Sequence, residues 1–324
     1  MQRFISILIV ILLAFVASTR IPESDLINYL NNFQGAKTLD FIDFIFFQAK
    51  DPFFNILTYL LAMLDLESSQ YIFVLSFIFY ILMYKISNSL SISPQIKMMF
   101  FLSLAFNPVI FSLHIHLLRQ FIGLSFFIYS ITLINDKYKL PFKIMSVLTH
   151  FSFIVIQAIM RLITNIRDLI IVVSLVLIVF IFKNALESVP IIGYLLARSS
   201  GEYLDFDKPS FGSLIFSFVM SIFIIYNLLN DSKLLSKEFK NFSWSILILF
   251  FGSVFFSTEL FYRVFPILLI LSHFVFLEFS KKLKFPEKLK FKPYAVWIPI
   301  NIILFVLLIK SWFIGQWSYN LFSF

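Results

Sequence analysis

Residues Ser112–Ser130 read SLHIHLLRQFIGLSFFIYS, which sets two histidines and an arginine between two apolar runs. How that polar patch is read decides the fold. It is either a surface between two core helices or a boundary between two membrane spans. The rest of the chain favours the second. Of 324 residues, 60% are hydrophobic and only 14% are charged, and the mean hydropathy is +0.92. A soluble domain of that composition has too few polar residues to cover its surface. Apolar runs separated by short charged segments read instead as a polytopic integral membrane protein. The 46 phenylalanines fit a compositional bias that lipid tolerates.

Several chemistries drop out early. The chain has no cysteine, which removes disulfides, thiolate nucleophiles and cysteine-ligated metals. The four histidines, His114, His116, His150 and His273, lack metal-ligand spacing. The i,i+2 pair His114/His116 diverges on a helix, so no metal or other cofactor is expected. There is no P-loop, dinucleotide fingerprint, HExxH or GxSxG motif. With seven glycines, a backbone phosphate cradle is not expected either. The net charge of +8 does not indicate nucleic acid, because the lysines fall in loops between spans. Met1–Thr19 resembles a signal peptide, with Arg3, an apolar core, Ala14 and Ala17. The many later runs favour an uncleaved first span.

The expected spans are 3–18, 53–64, 71–86, 98–113, 117–134, 144–160, 168–182, 213–229, 243–257, 264–279 and 294–314. Lipid requires each to be helical, because every backbone hydrogen bond must close within the segment. The expected fold is therefore all-α: one transmembrane domain over 1–324, with about 10–12 spanning helices. The run 53–64 is too short for a ~30 Å hydrocarbon core at 1.5 Å per residue, so one or two segments are expected to be short or re-entrant. The Lys-rich loops 230–242 and 280–293 are expected to be cytoplasmic. Segments 19–52 and 183–212 are expected to be external, the first carrying five acids against three bases. Lys137, Lys139 and Lys143 also look cytoplasmic. They fit if 53–64 does not cross, which puts His114–Arg119 outside and requires a second irregular segment within 144–182.

The arginines are segregated from the lysines. Apart from Arg3 they are Arg20, Arg119, Arg161, Arg167, Arg198 and Arg263, at span ends or in expected external segments. Arginine is a permanently charged planar fork that matches phosphate bidentately. Toward a bilayer centre it costs ~2.5–3.5 kcal/mol on insertion scales. Any one of them can also be snorkelling to headgroups. Arg119 and Arg263 each abut a long apolar helix, which favours a functional role. Gly123, at i+4 from Arg119, leaves room either for a ligand or for close helix packing. Glu259 and Arg263 form an i,i+4 pair that either neutralises both groups or orients a substrate-binding guanidinium. His150, inside an apolar run, is either a hydrogen-bonded core histidine or a base.

The order of short motifs is informative. ESDLINYLNNF with Asp25, Tyr29 and Phe33 follows the first span, and then comes Asp51-Pro52-Phe53. LRQFIG, the basic turn DKYKLPFK, LTHFSF and FYRVFP complete the series. Over most of its length the chain resembles the EpsG/Wzy-type family of bacterial polysaccharide polymerases. The matches are Arg119, Gln120 and Gly123, then His150 and Ser152, then Tyr262 and Arg263. Departures are Asp51 where glutamate is common, Phe153 where a small residue is common, and no glycine before Asp25.

This resemblance implies glycosyl transfer at the outer face of the bacterial cytoplasmic membrane, on oligosaccharide repeat units carried by a polyprenyl diphosphate. Its implied partners are that lipid-linked substrate, membrane lipids, and a chain-length regulator and flippase of the same pathway. It implies that Arg119 and Arg263 hold the diphosphate, with His150 or Asp25 as base. Arg20, Asp25, Tyr29, Gln120, Arg198, Tyr203, Asp205 and Tyr262 are candidate sugar or phosphate contacts. Competing readings are another polyprenyl-linked transferase or ligase, and a lipid-oligosaccharide flippase or transporter. The absence of an internal repeat counts against the last. For topology, a chain truncated after His116 and fused to an outer-face reporter should give reporter activity. Activity only from a cytoplasmic reporter at that point would reverse the orientation.

Overall fold

The computed structural model describes residues 2–20, 25–47, 51–133, 135–163, 167–168, 170–171, 174, 211–229, 236–256, 258–282 and 292–313. Among these residues the chain is all-helical, with no strand. Proline punctuates it. Pro52, Pro94 and Pro108 each stand in the first turn of a helix, where the missing N–H costs nothing. They open α4 (Pro52–Met63), α6 (Pro94–Ala105) and α7 (Pro108–His116). The expected span 98–113 is consequently two helices, bent by 58° at Phe106–Asn107. Pro108 cannot continue α6, and Asn107 restarts the chain by accepting from the Val109 and Ile110 amides at 3.0 and 3.1 Å.

The helices belong to two compact units. The first comprises Met1–Val155 with Phe285–Phe313, and the second Ile156–Lys284 with Ile314–Phe324. In the first unit, α1 (Gln2–Ser18) packs on α5 (Ser68–Ser89). Ser6, Val10, Leu13, Ala14 and Ala17 form its buried stripe, at the spacing of one helical face. The opposite face is apolar as well, with Phe4, Leu8, Leu12 and Phe15 exposed. The centre of the unit is α8 (Leu118–Thr132), buried on nearly every side from Gln120 to Ile128. It packs against α5 and against α9 (Lys139–Thr149). The later helix Lys292–Phe313 joins this unit on α6 and α7. There Phe305 lies edge-on to Phe111 at 4.7 Å, and the Asn301 amide reaches the Ser103 carbonyl at 3.4 Å.

The second unit contains Phe211–Leu229, Lys237–Phe256 and Thr258–Lys282. The last is its central helix, with Val264–Val275 buried throughout and Phe274 packed on Phe239 at 4.9 Å. Ile163 and Ile248 add a small cluster with Ile159 and Trp244.

Length and composition single out α5, at 22 residues, among the described residues as a helix able to cross a membrane by itself, and the bent pair α6–α7 reaches that length together. The run 53–64 is the short helix that was expected, 12 residues long. The span 144–160 is broken: α9 stops at Thr149, His150 and Phe151 are non-helical, and α10 (Ser152–Leu162) resumes. Segment 19–52 differs from a plain external loop, because it folds into α2 (Asp25–Ala36) and α3 (Phe41–Phe47). Helices also extend into the expected basic loops 230–242 and 280–293. A helix begins at Lys237, another runs to Lys282, and the last starts at Lys292.

Gly123 settles one of the open alternatives. A Cβ there would lie 3.0 Å from Phe153 Cε2 and 3.2 Å from the Ser146 carbonyl oxygen. The glycine therefore serves close packing of α8 on the α9–α10 break, and no ligand space opens at it. Phe153 is fully buried and Ser146 Oγ lies in the same core, so neither neighbour has room to retreat. Gly123→Val should lower stability by ~1–3 kcal/mol, the usual cost of overpacking. Thermal unfolding in detergent would check it, with Gly35→Val, which meets nothing within 4 Å, as the matched control.

Candidate active site

The sequence places Arg119 in the first turn of α8 and Asp51 at the start of α4, and the fold of the first unit brings them together. Arg119 Nη1 donates to Asp51 Oδ2 at 2.7 Å. The other carboxylate oxygen, Oδ1, accepts the Phe151 amide at 3.1 Å. One carboxylate thus joins α4, α8 and the break between α9 and α10. Asp51 is 6% exposed, and a carboxylate so buried must be paired to remain ionised.

Its backbone is as unusual as its bonding. Asp51 occupies the N-cap position of α4, and its carbonyl accepts the Asn55 amide at 3.1 Å. Its φ,ψ of 54° and 57° lie in the left-handed region, and its side chain makes no capping hydrogen bond. An N-cap aspartate ordinarily sits in extended backbone and bonds to the second or third amide of its own helix. A residue before proline is also ordinarily kept out of helical φ,ψ. At Asp51 both preferences yield, and the carboxylate goes to Arg119 and Phe151.

Around the guanidinium stand Tyr29 and Asp25 of α2. The Arg119 Cζ lies 5.4 Å from the Tyr29 ring centroid, within cation–π range. The Tyr29 hydroxyl also hydrogen-bonds to the guanidinium, and the Asp25 carboxylate acts on it electrostatically. α2 is set by its buried face, Leu26, Tyr29, Phe33 and Ala36. Tyr29 packs on Phe54 at 5.6 Å, and Phe33 stacks on Tyr71 at 4.3 Å. The Tyr71 hydroxyl is 3.0 Å from Thr58 Oγ1. Arg119 is thereby held from three sides, and its Nε is buried with no hydrogen-bond partner among the described residues. Gln120 is buried beside it.

His150, half-buried at the helix break, has its Nδ1 2.8 Å from Ser152 Oγ and 3.3 Å from the Ser152 amide. With the amide donating to Nδ1, a neutral imidazole carries its proton on Nε2. That arrangement suits a hydrogen bond toward an anionic oxygen better than proton abstraction.

The histidines of the opening stretch fall elsewhere. His114 and His116 are buried inside the first unit instead of lining its surface. His114 bonds through Nδ1 to the Phe111 carbonyl at 2.6 Å, with Ser76 Oγ 3.4 Å from Nε2, and its ring stacks on Phe79 at 5.0 Å. It is a core residue. Arg20, buried at the end of α1, acts electrostatically on His114. Arg263 lies half-buried on the central helix of the second unit, which also carries Tyr262 in its backbone. Arg198, Tyr203 and Asp205 lie outside the described residues, as do the side chains of Tyr262 and Glu259. Among the described residues no group of three or more His, Cys, Asp or Glu side chains is placed to hold a metal. The residues missing from the sequence-derived site are Asp51, Tyr71 and Thr58. Only Asp51 carried a signal, as the acid of the acid–Pro–aromatic motif.

The fold of the first unit thus holds an arginine fork between carboxylates and a phenol beside a helix break. Comparison with known families sharpens this. The model of the EpsG family matches residues 3–321, and the chain belongs to that family, which is membrane-associated and glycosyltransferase-like. No curated protein and no solved structure matches it.

The Asp51–Arg119 pair should be directly measurable. A double-mutant cycle of Asp51→Asn and Arg119→Gln, read by thermal unfolding in detergent, should give a coupling energy of ~0.5–3 kcal/mol. Additive effects would mean that the two side chains do not interact in the folded protein.

Proposed function

We propose that this chain is a multi-pass protein of the bacterial cytoplasmic membrane that polymerises polyprenyl-diphosphate-linked oligosaccharide repeat units at its outer face. Family membership supports the class. The observation that carries the site is the Arg119 guanidinium, fixed by Asp51 and Tyr29 while its Nε stays unpaired. Apolar side chains on the exposed faces of helices support the membrane assignment. Phe4, Leu8, Leu12 and Phe15 line α1, Val219, Ile222 and Leu229 another helix, and Ile303, Leu304 and Leu307 the last. Water would not tolerate such faces on separate helices, and hydrocarbon does. The breaks at Phe106–Asn107 and His150–Phe151 place non-helical backbone next to polar side chains, which a membrane protein sustains where a cavity is lined.

In this reading the acceptor hydroxyl oxygen bonds to the anomeric carbon of the donor sugar as that carbon's bond to the diphosphate oxygen breaks. The electron pair leaves on the diphosphate, and the hydroxyl proton passes to a base. Charge grows on the leaving phosphates, where preorganised donors lower the barrier. Arg119 supplies such donors, and His150 adds a hydrogen bond from Nε2. Asp25, the second carboxylate acting on Arg119, takes the acceptor proton. Arg263, assigned by the family pattern, is the second arginine of this reading, and Tyr29 and Gln120 are contacts beside the first.

Arg119→Ala and Arg263→Ala should each leave an inserted protein, the first less stable because Asp51 loses its partner, that no longer lengthens a surface polysaccharide. Cells would then carry a single capped repeat, visible by electrophoresis of the surface glycan. Normal polymer length in either variant would remove that arginine from the mechanism, and normal length in both would remove the mechanism itself.

A further inference from the structure

We infer that Asp51 is a positioning residue that holds Arg119 and the His150 turn in register and occupies the edge of the fork that faces away from the lipid diphosphate. The inference rests on the polymerase reading of the site. Three observations carry it. The carboxylate uses both oxygens, Oδ2 on Arg119 Nη1 at 2.7 Å and Oδ1 on the Phe151 amide at 3.1 Å, so it fixes two candidate functional elements relative to one another. It does so from left-handed backbone at φ 54°, a conformation that disfavours a side chain. It also leaves α4 without the side-chain cap that an aspartate at this position would supply. The structure gives up two local stabilisations at one residue, and what it gains is a placed carboxylate. Such departures mark residues whose position matters to function.

The geometry also gives a direction. The fork spends Nη1 on Asp51, while Nε remains buried without a hydrogen-bond partner among the described residues. In this reading an incoming phosphate meets the part of the guanidinium that Asp51 and Tyr29 leave free, with a fixed negative charge on the Nη1 side. That charge opposes tight binding of the substrate's own negative charge. It also holds the donors where charge grows during reaction, so it costs ground-state affinity and favours turnover.

Two substitutions separate this from a merely structural role. Asparagine tolerates left-handed backbone at least as well as aspartate, so Asp51→Asn removes the charge and keeps an acceptor for Phe151. Glycine adopts the conformation freely, so Asp51→Gly keeps the backbone and loses both contacts. With full-length protein in detergent and undecaprenyl diphosphate as the probe, wild type should bind. Asp51→Asn should bind at least about fivefold more tightly, as expected when a competing internal contact is removed. In a polymerisation assay the same variant should show a lower KM together with a lower kcat. Asp51→Gly should fail to lengthen polymer, and hydrogen exchange at the Phe151 amide should speed up in that variant alone. Unchanged or weaker binding by Asp51→Asn, wild-type polymer from Asp51→Gly, or a Phe151 amide indifferent to Asp51→Gly would each overturn the inference while leaving the polymerase reading standing. If wild type does not bind the diphosphate at all, the polymerase reading falls and this inference falls with it.

Discussion

One buried carboxylate ties three helix ends of the first unit together. Asp51, Arg119 and Phe151 are far apart in sequence, and each stands where a helix begins or breaks. Helix ends are the places where backbone donors and acceptors lack intrahelical partners. In an apolar chain such ends are costly unless something polar satisfies them. The Asp51 carboxylate does this for the Phe151 amide and neutralises Arg119 at the same time. A part-buried ion pair of this kind contributes little net stability, because desolvation of the carboxylate offsets much of the attraction. Removing Arg119 is a different matter, since the buried Asp51 carboxylate is left without its partner. The pair therefore acts as a constraint on geometry more than as a source of stability.

The same constraint explains why the surrounding contacts are aromatic. Tyr29 covers one face of the guanidinium, and Phe54 and the Tyr71–Phe33 stack support α2 behind it. Phenol rings present an apolar body to neighbouring helices and a polar tip to the charge. Gly123 completes the arrangement from the far side. Its missing side chain lets α8 approach Ser146 and Phe153, which flank the His150 turn. Close packing of α8 and the shared carboxylate both act on that turn, one through its neighbours and one through its backbone amide.

Much of this was legible in the sequence, and the gaps have physical reasons. Hydropathy located the helices because lipid and core alike select apolar runs. It could not place the breaks, because an apolar run looks the same across a bend. Pro108 was a local sign of the first break, and the lysine pattern called for an irregular segment within 144–182, where the second break falls at His150–Phe151. The helix Asp25–Ala36 was hidden by its polar residues Asp25, Asn28, Asn31, Asn32 and Gln34, although Leu26, Tyr29, Phe33 and Ala36 keep a helical spacing. Arg119, Tyr29 and Asp25 emerged from the order of motifs, and the structure puts them side by side. Asp51 did not emerge as a site residue, because Asp before Pro reads as an ordinary helix cap. Its real partners lie 68 and 100 residues away. His114 and His116 drew attention as polar residues in an apolar stretch. Burial and the aromatic shell around His114 make that pair part of the core.

The placement of Arg119 carries a last consequence. Cations are favoured at the C-terminal ends of helices and disfavoured at N-terminal ends, where the helix dipole is already positive. Arg119 stands in the first turn of α8, half-buried, so guanidinium and dipole reinforce one another beside apolar helices. On stability alone a neutral or acidic residue would serve better there. Asp51 offsets part of the positive field, and Asp25 adds to that from α2. Both carboxylates stand on neighbouring helices, and neither is part of α8. In the proposed polymerase reading, the site takes an anion that arrives from outside and spreads its charge over several oxygens. A diphosphate does so, and it gains charge as its bond to the sugar breaks, which is when a field fixed in advance by the fold lowers the energy most.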